Sequence, residues 1–140
     1  MTLDPALIGH WSSLPYDTGA IETSDLGFLP DGRGWSVWSS ASGGLHVARF
    51  RWFCPEAGRL ELHEQWHASG TWAAPEGFAS VDETSHSEGL VRTGYAIGGD
   101  GGDYAALRFT RPVEFTDAYA RRGTAIAPTD DPSYELLPYT

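Results

Sequence analysis

Apolar and polar positions alternate over short stretches along most of this chain. In "SDLGFL" (24–29) Leu26 and Phe28 share a face, and in "LHVARFRWF" (45–53) His46, Ala48, Phe50 and Trp52 do. In "RLELHEQWH" (59–67) Leu60, Leu62, Glu64 and Trp66 fall on one side. A repeat of two residues is the mark of a half-buried β-strand. Turn chemistry separates the runs. Pro30-Asp31-Gly32-Arg33-Gly34 leads from 24–29 back through "WSVWSS" (35–40), Ser42-Gly43-Gly44 precedes 45–53, and Pro55-Glu56-Ala57-Gly58 precedes 59–67. Proline presets φ and glycine admits positive φ, so each cluster reads as a tight connection. Further on, "GLVRTGYAI" (89–97) and "YAALRFT" (104–110) flank a Gly-Gly-Asp-Gly-Gly-Asp loop. "FTDAYARRG" (115–123) reads as one short helix stopped by Gly123, and "YELLPY" (134–139) as a last strand. About eight antiparallel strands in an all-β domain spanning 1–140 suggest a barrel or a sandwich.

The run 59–67 also spells H-E-x-x-H, as His63-Glu64-Gln65-Trp66-His67. On a helix, residues four apart lie on one face within about 6 Å, and two imidazoles can then chelate zinc while the glutamate activates water. Glu83, His86 or Glu88 would offer a third ligand, making the chain a zinc-dependent hydrolase. On a strand the same two histidines lie about 13 Å apart, too far for one ion. The local period favours the strand, and no metal or other cofactor is expected. Gly98 to Asp103 matches one copy of a calcium-binding repeat whose sites need stacked copies, and a plain glycine turn explains it. No serine lies in a G-x-S-x-G context, so the motifs indicate no hydrolytic triad.

Charge narrows the partners. The net charge is −10, and all nine basic residues are arginine, the densest pair being Arg121-Arg122. Such a chain should repel phosphate backbones and anionic membranes, so neither nucleic acid nor a membrane is an expected partner. An acidic interaction or immunity-type protein, working through its charged exterior without a ligand, remains an alternative. The stretch "MTLDPALIGHW" lacks a basic, apolar leader, and the single Cys54 fits a reducing compartment, so a cytoplasmic location is expected. Cys54 sits beside Pro55 at the end of an apolar run, where a packed thiol is the simpler reading.

Aromatic residues make up 13% of the chain, enough to fill a small core and still line a pocket. If Phe50 and Trp52 face inward, so does His46. If Leu60, Leu62 and Trp66 do, so does Glu64. Buried polar groups need each other or a ligand. His46, Phe50, Trp52, Leu62, Glu64 and Trp66 are therefore the expected binding residues for a small hydrophobic molecule. His46 and Glu64 are the acid/base candidates should the protein be a catalyst.

"LIGHW", "LGFLPDGRGWSVW", "FRWF" with "GRLEL", and a late "ALRF" resemble the small bacterial lipocalin-like domains of the calycin group. The resemblance covers about residues 7–67 and 104–111. It implies a closed up-and-down barrel holding an apolar small molecule, a type of barrel sometimes recruited as a cyclase or isomerase. It also implies that Gly9 and Trp11 close the base and that Arg108 packs across the tryptophan.

Overall fold

A computed structural model describes residues 2–16, 21–72 and 77–139. Among the described residues nine strands follow one another as β1 (Gly9–Ser12), β2 (Glu22–Phe28), β3 (Arg33–Ser40), β4 (Gly44–Phe53), β5 (Arg59–Trp72), β6 (Phe78–His86), β7 (Leu90–Gly99), β8 (Ala105–Val113) and β9 (Thr116–Gly123). Every pairing is antiparallel. Eight strands close a ring in the order β1-β2-β3-β4-β5-β7-β8-β9, sealed by β9 against β1, and β6 is a ninth strand paired to β5. Closure leaves no free edge along the ring, which is how an all-β fold of this size avoids edge-to-edge association. Among the described residues no helix is long and apolar enough to cross a membrane.

Two expectations for the later part of the chain are corrected. Residues 115–123 do not form a helix: Thr116–Gly123 is strand β9, in which Leu107 pairs with Tyr119 on one side and Trp11 with Arg121 on the other. Local helix preference is weak against hydrogen bonds to a neighbour on both sides. Residues 134–139 are turn and irregular backbone rather than a strand. Their rings pack on the outside of the barrel, with Tyr139 against Trp35 at 6.3 Å.

The interior is apolar at its base. Leu7, Trp11, Leu26, Phe28, Phe50, Trp52, Leu60, Leu62, Leu107, Phe109 and Tyr119 form one buried cluster. Gly9 and Trp11 both lie on β1. Gly9 has φ 131°, and a Cβ there would lie 2.3 Å from the Gly123 carbonyl oxygen across the seam, so only glycine fits. Trp11 is fully buried and donates its indole N–H to the Leu7 carbonyl at 2.9 Å. The arginine across it is Arg121, 4.2 Å from the ring, and not Arg108. Arg121 also donates to the carbonyls of Ile8 and Ala6. Arg108 pairs with Ala96 on the outward side of β8, because Leu107 and Phe109 take the inward positions, and it lies near Tyr16.

A second core lies on the outer wall. Trp35, Val37, Leu45 and Val47 point away from the interior and are covered by Phe78, Ile126 and Tyr139. Segment 126–139 thus acts as a strap, fastened by one buried ion pair. Arg49 on β4 meets Asp131 at 3.0 Å, with the aspartate side chain wholly buried. The guanidinium lies 4.8 Å from the Trp66 ring and 4.3 Å from that of Tyr139, and it donates to the hydroxyl and carbonyl of Ser133. Asp131 in turn accepts from the Ser133 amide and hydroxyl and from the Tyr139 hydroxyl.

Candidate functional site

One extra residue in β5 decides where the polar groups go. Arg49 pairs with Trp66, but the next residue, Phe50, pairs with Glu64, so Gln65 has no counterpart on β4. A β-bulge of this kind reverses which side chains face inward beyond it. Before the bulge Leu60, Leu62 and Glu64 face the interior, and after it His67 and Ser69 do.

The predicted binding set is therefore divided. Phe50, Trp52 and Leu62 are packed in the core, each no more than 4% exposed. Trp66 does not face the interior; the bulge turns it outward onto Arg49. His46 and Glu64 remain inside, half-buried towards one open end. His67 joins them, its ring 5.3 Å from that of His46.

His63 and His67 cannot share a zinc ion. The segment is a strand, and the bulge places the two rings on opposite sides of the wall. His63 stacks on outward-facing Phe53 at 5.5 Å and contacts Glu61, while His67 faces the mouth. Among the described residues no three His, Cys, Asp or Glu side chains converge as a metal site requires. Of the suggested third ligands, Glu83 comes within 3.7 Å of His67 Nε2, whereas His86 and Glu88 border a surface hollow that His63, Glu64 and Ser87 also line.

The mouth is a polar network above an apolar plug. His46 Nδ1 lies 2.9 Å from the Ser69 hydroxyl, and His67 Nε2 lies 2.6 Å from that of Ser85 on β6. Glu64 Oε1 is 4.0 Å from His67 Nδ1 and accepts from the Ser87 hydroxyl at 2.6 Å. Beside this network opens a cavity of about 600 Å³ lined by Glu22, Trp38, His46, Ser69, Glu114 and Phe115, among others. Its walls carry two large rings and three carboxylates, counting Asp82, and no arginine. The sequence had given no reason to place Ser69, Ser85, Trp38 or Phe115 together. The bulge carries no glycine or proline to mark it, and β6 is exposed along most of its length and lacks an apolar period.

A second hollow of about 420 Å³ lies outside the barrel, between the outer wall and the strap, where Trp35, Trp72, His10, Arg122 and Asp25 meet. Asp25 touches solvent there, yet the surrounding protein crowds it. Desolvation pushes its pKa above the ordinary value of 3.8, against the pull of the Ser12 hydroxyl, Arg122 and His10. A raised carboxyl pKa means that ionised Asp25 opposes folding at neutral pH and ceases to do so once pH falls below the ordinary value. Asp25→Asn is expected to raise the urea midpoint near neutral pH, the gain disappearing in acid; an equal gain at both would show that charge is not the cause.

The Cys54 thiol is buried and lies 3.6 Å from the Tyr95 hydroxyl, which donates to Asp4 at 2.5 Å. These groups close the base and face away from the mouth. Comparisons with protein-family models, with curated proteins and with solved structures return no match for this chain, so its function is argued from the barrel and the mouth themselves.

Proposed function

We propose that the chain is a cytoplasmic lipocalin-like barrel that binds a small, largely apolar molecule at its open end. The observation that carries this reading is the 600 Å³ cavity bordered by the half-buried ring of Trp38 and the exposed ring of Phe115, with His46 at its edge. Pockets for small molecules combine apolar and aromatic walls with a few polar groups that fix orientation. His46 has that role here, because its Nδ1 is held by Ser69 and its other ring nitrogen is left for a ligand. The lipocalin-like reading draws on Gly9 and Trp11 at the base, with Arg121 across the tryptophan. The occupant differs from the first expectation in position. Phe50, Trp52 and Leu62 fill the base, so the ligand rests above them.

The test is titration with N-phenyl-1-naphthylamine, an uncharged probe that fluoresces in apolar surroundings. Saturable one-to-one binding is expected, weakened at least about tenfold in Trp38→Ala, equivalent to about 1.4 kcal/mol of lost ring contact. Circular dichroism confirms that the variant stays folded. Absence of saturable binding, or a folded Trp38→Ala that binds as well as the parent, would sink the proposal.

A further inference from the structure

The mouth contains more than a binding surface. Ser85, His67 and Glu64 lie in series on two neighbouring strands, with Ser85 Oγ 2.6 Å from His67 Nε2 and His67 Nδ1 4.0 Å from Glu64 Oε1. We propose that this Ser85-His67-Glu64 series is a nucleophile, base and orienting acid that hydrolyses small uncharged carboxylic esters at the mouth of the barrel.

The arrangement follows from the bulge at Gln65. Without it His67 would face outward; with it the imidazole turns inward beside Ser85, its partner across the β5–β6 ladder. A base within hydrogen-bond reach of a hydroxyl, itself oriented by a third group, is the arrangement that activates serine. In the tautomer with the proton on Nδ1, Nε2 accepts from Ser85, and Glu64 lies at ion-pair distance from Nδ1, 4.0 Å, so that it would have to draw closer to orient the ring directly. Glu64 is steadied in turn by the Ser87 hydroxyl. Glu83 Oε1 is 3.7 Å from Nε2 on a largely exposed side chain, so an imidazolium formed during reaction sits between two carboxylates.

Register supplies donors for the developing oxyanion. Ser87 donates its amide to Gln65, and the ladder continues without a break as Ser85 opposite His67 and Glu83 opposite Ser69. Alternate amides of β6, those of Thr84 and His86, therefore point to the side of β6 that no strand of the sheet covers. The His86 amide follows the nucleophile directly, where it can meet the negative charge on a carbonyl oxygen attacked by Ser85.

The reaction balances with water as the only co-reactant. Ser85 Oγ bonds to the ester carbonyl carbon as its proton passes to His67 Nε2. The tetrahedral adduct collapses, the carbon–oxygen bond to the alcohol breaks, and the leaving alcohol takes the proton from His67. Water then attacks acyl-Ser85 with His67 again accepting the proton, which releases the carboxylic acid and restores serine. The substrate class follows from the cavity beside His46, whose two rings suit an apolar group and whose three carboxylates disfavour an anion.

This proposal rests on the reading that the mouth admits a small molecule, and the experiment separates the two. Purified protein is assayed with p-nitrophenyl butyrate and with an anionic p-nitrophenyl half-ester, and labelled with phenylmethylsulfonyl fluoride followed by peptide mass mapping. Turnover of the uncharged ester is expected, reduced at least about 100-fold in Ser85→Ala and in His67→Ala, with a single sulfonyl adduct on Ser85. Glu64→Gln should lower kcat with little change in KM, and the anionic ester should react more slowly. All variants are checked by circular dichroism and by N-phenyl-1-naphthylamine binding. Probe binding without hydrolysis or adduct overturns the triad and leaves the binding reading intact. Hydrolysis equal in Ser85→Ala overturns the triad as well. Ser85-dependent hydrolysis without probe binding supports the triad and removes the apolar pocket. Neither activity nor binding removes both.

Discussion

Replacing Asp131 by alanine is expected to lower the unfolding free energy by about 3–5 kcal/mol, because removing one partner of a buried ion pair strands the other. The Asp131 side chain is wholly buried and Arg49 nearly so. The variant leaves the Arg49 guanidinium without a counter-charge, and it removes the acceptor of the Ser133 amide, the Ser133 hydroxyl and the Tyr139 hydroxyl. Urea denaturation followed by tryptophan fluorescence measures the loss. The paired replacement Arg49→Leu with Asp131→Leu should cost less than Asp131→Ala alone, since it leaves no unpaired charge in the wall. A single variant within the small range of ordinary surface changes would show that the strap is not fastened by this pair.

Trp11→Ala should have an effect of similar size, about 3–5 kcal/mol, as expected for truncating a large buried ring that leaves a cavity. Trp11 is fully buried at the base, and its loss also leaves the Leu7 carbonyl without its indole donor and Arg121 without the ring beneath it. Arg108→Ala, by contrast, should change stability by no more than about 0.5 kcal/mol, as for an exposed side chain away from the core. A reversed ranking of Trp11 and Arg108 in thermal and urea unfolding would overturn the assignment of Arg121 as the residue that caps Trp11.

The barrel was legible in the sequence because its signals were local. The alternation at 24–29 and 45–53 and the glycine and proline turns between strands report on neighbouring residues, and β2 to β5 appear where those signals placed them. The site was legible in part. His46 and Glu64 were placed inside by period alone, and that holds up to residue 64. Trp66 and His67 were exchanged because a bulge is a property of the pairing between β4 and β5, not of either strand. The resemblance points to Arg108 on the strand run 104–110, whereas Arg121 lies in a stretch whose sequence reads as a helix, so nothing local marks it as the arginine over Trp11. The outer core carries no local signal, because alternation presumes one wet face and on β3 and β4 the strap removes it. Trp35 and Val37 on one face and Ser36 on the other are all buried.

The seam between the first and last strands carries a kinetic consequence. Arg121 reaches a carbonyl 113 positions away, and Arg49 reaches Ser133 across 84. The hairpins from β2 to β5 can form among neighbours, but the ring cannot close until β9 meets β1, and the strap has no finished wall to lie on before then. Folding of this chain therefore belongs to the slow, non-local regime in which loop-closure entropy is spent before the contacts that repay it. Until closure, the faces of Trp35, Val37, Leu45 and Val47 stand open to water, and the half-made sheet is the species most prone to associate with its own kind.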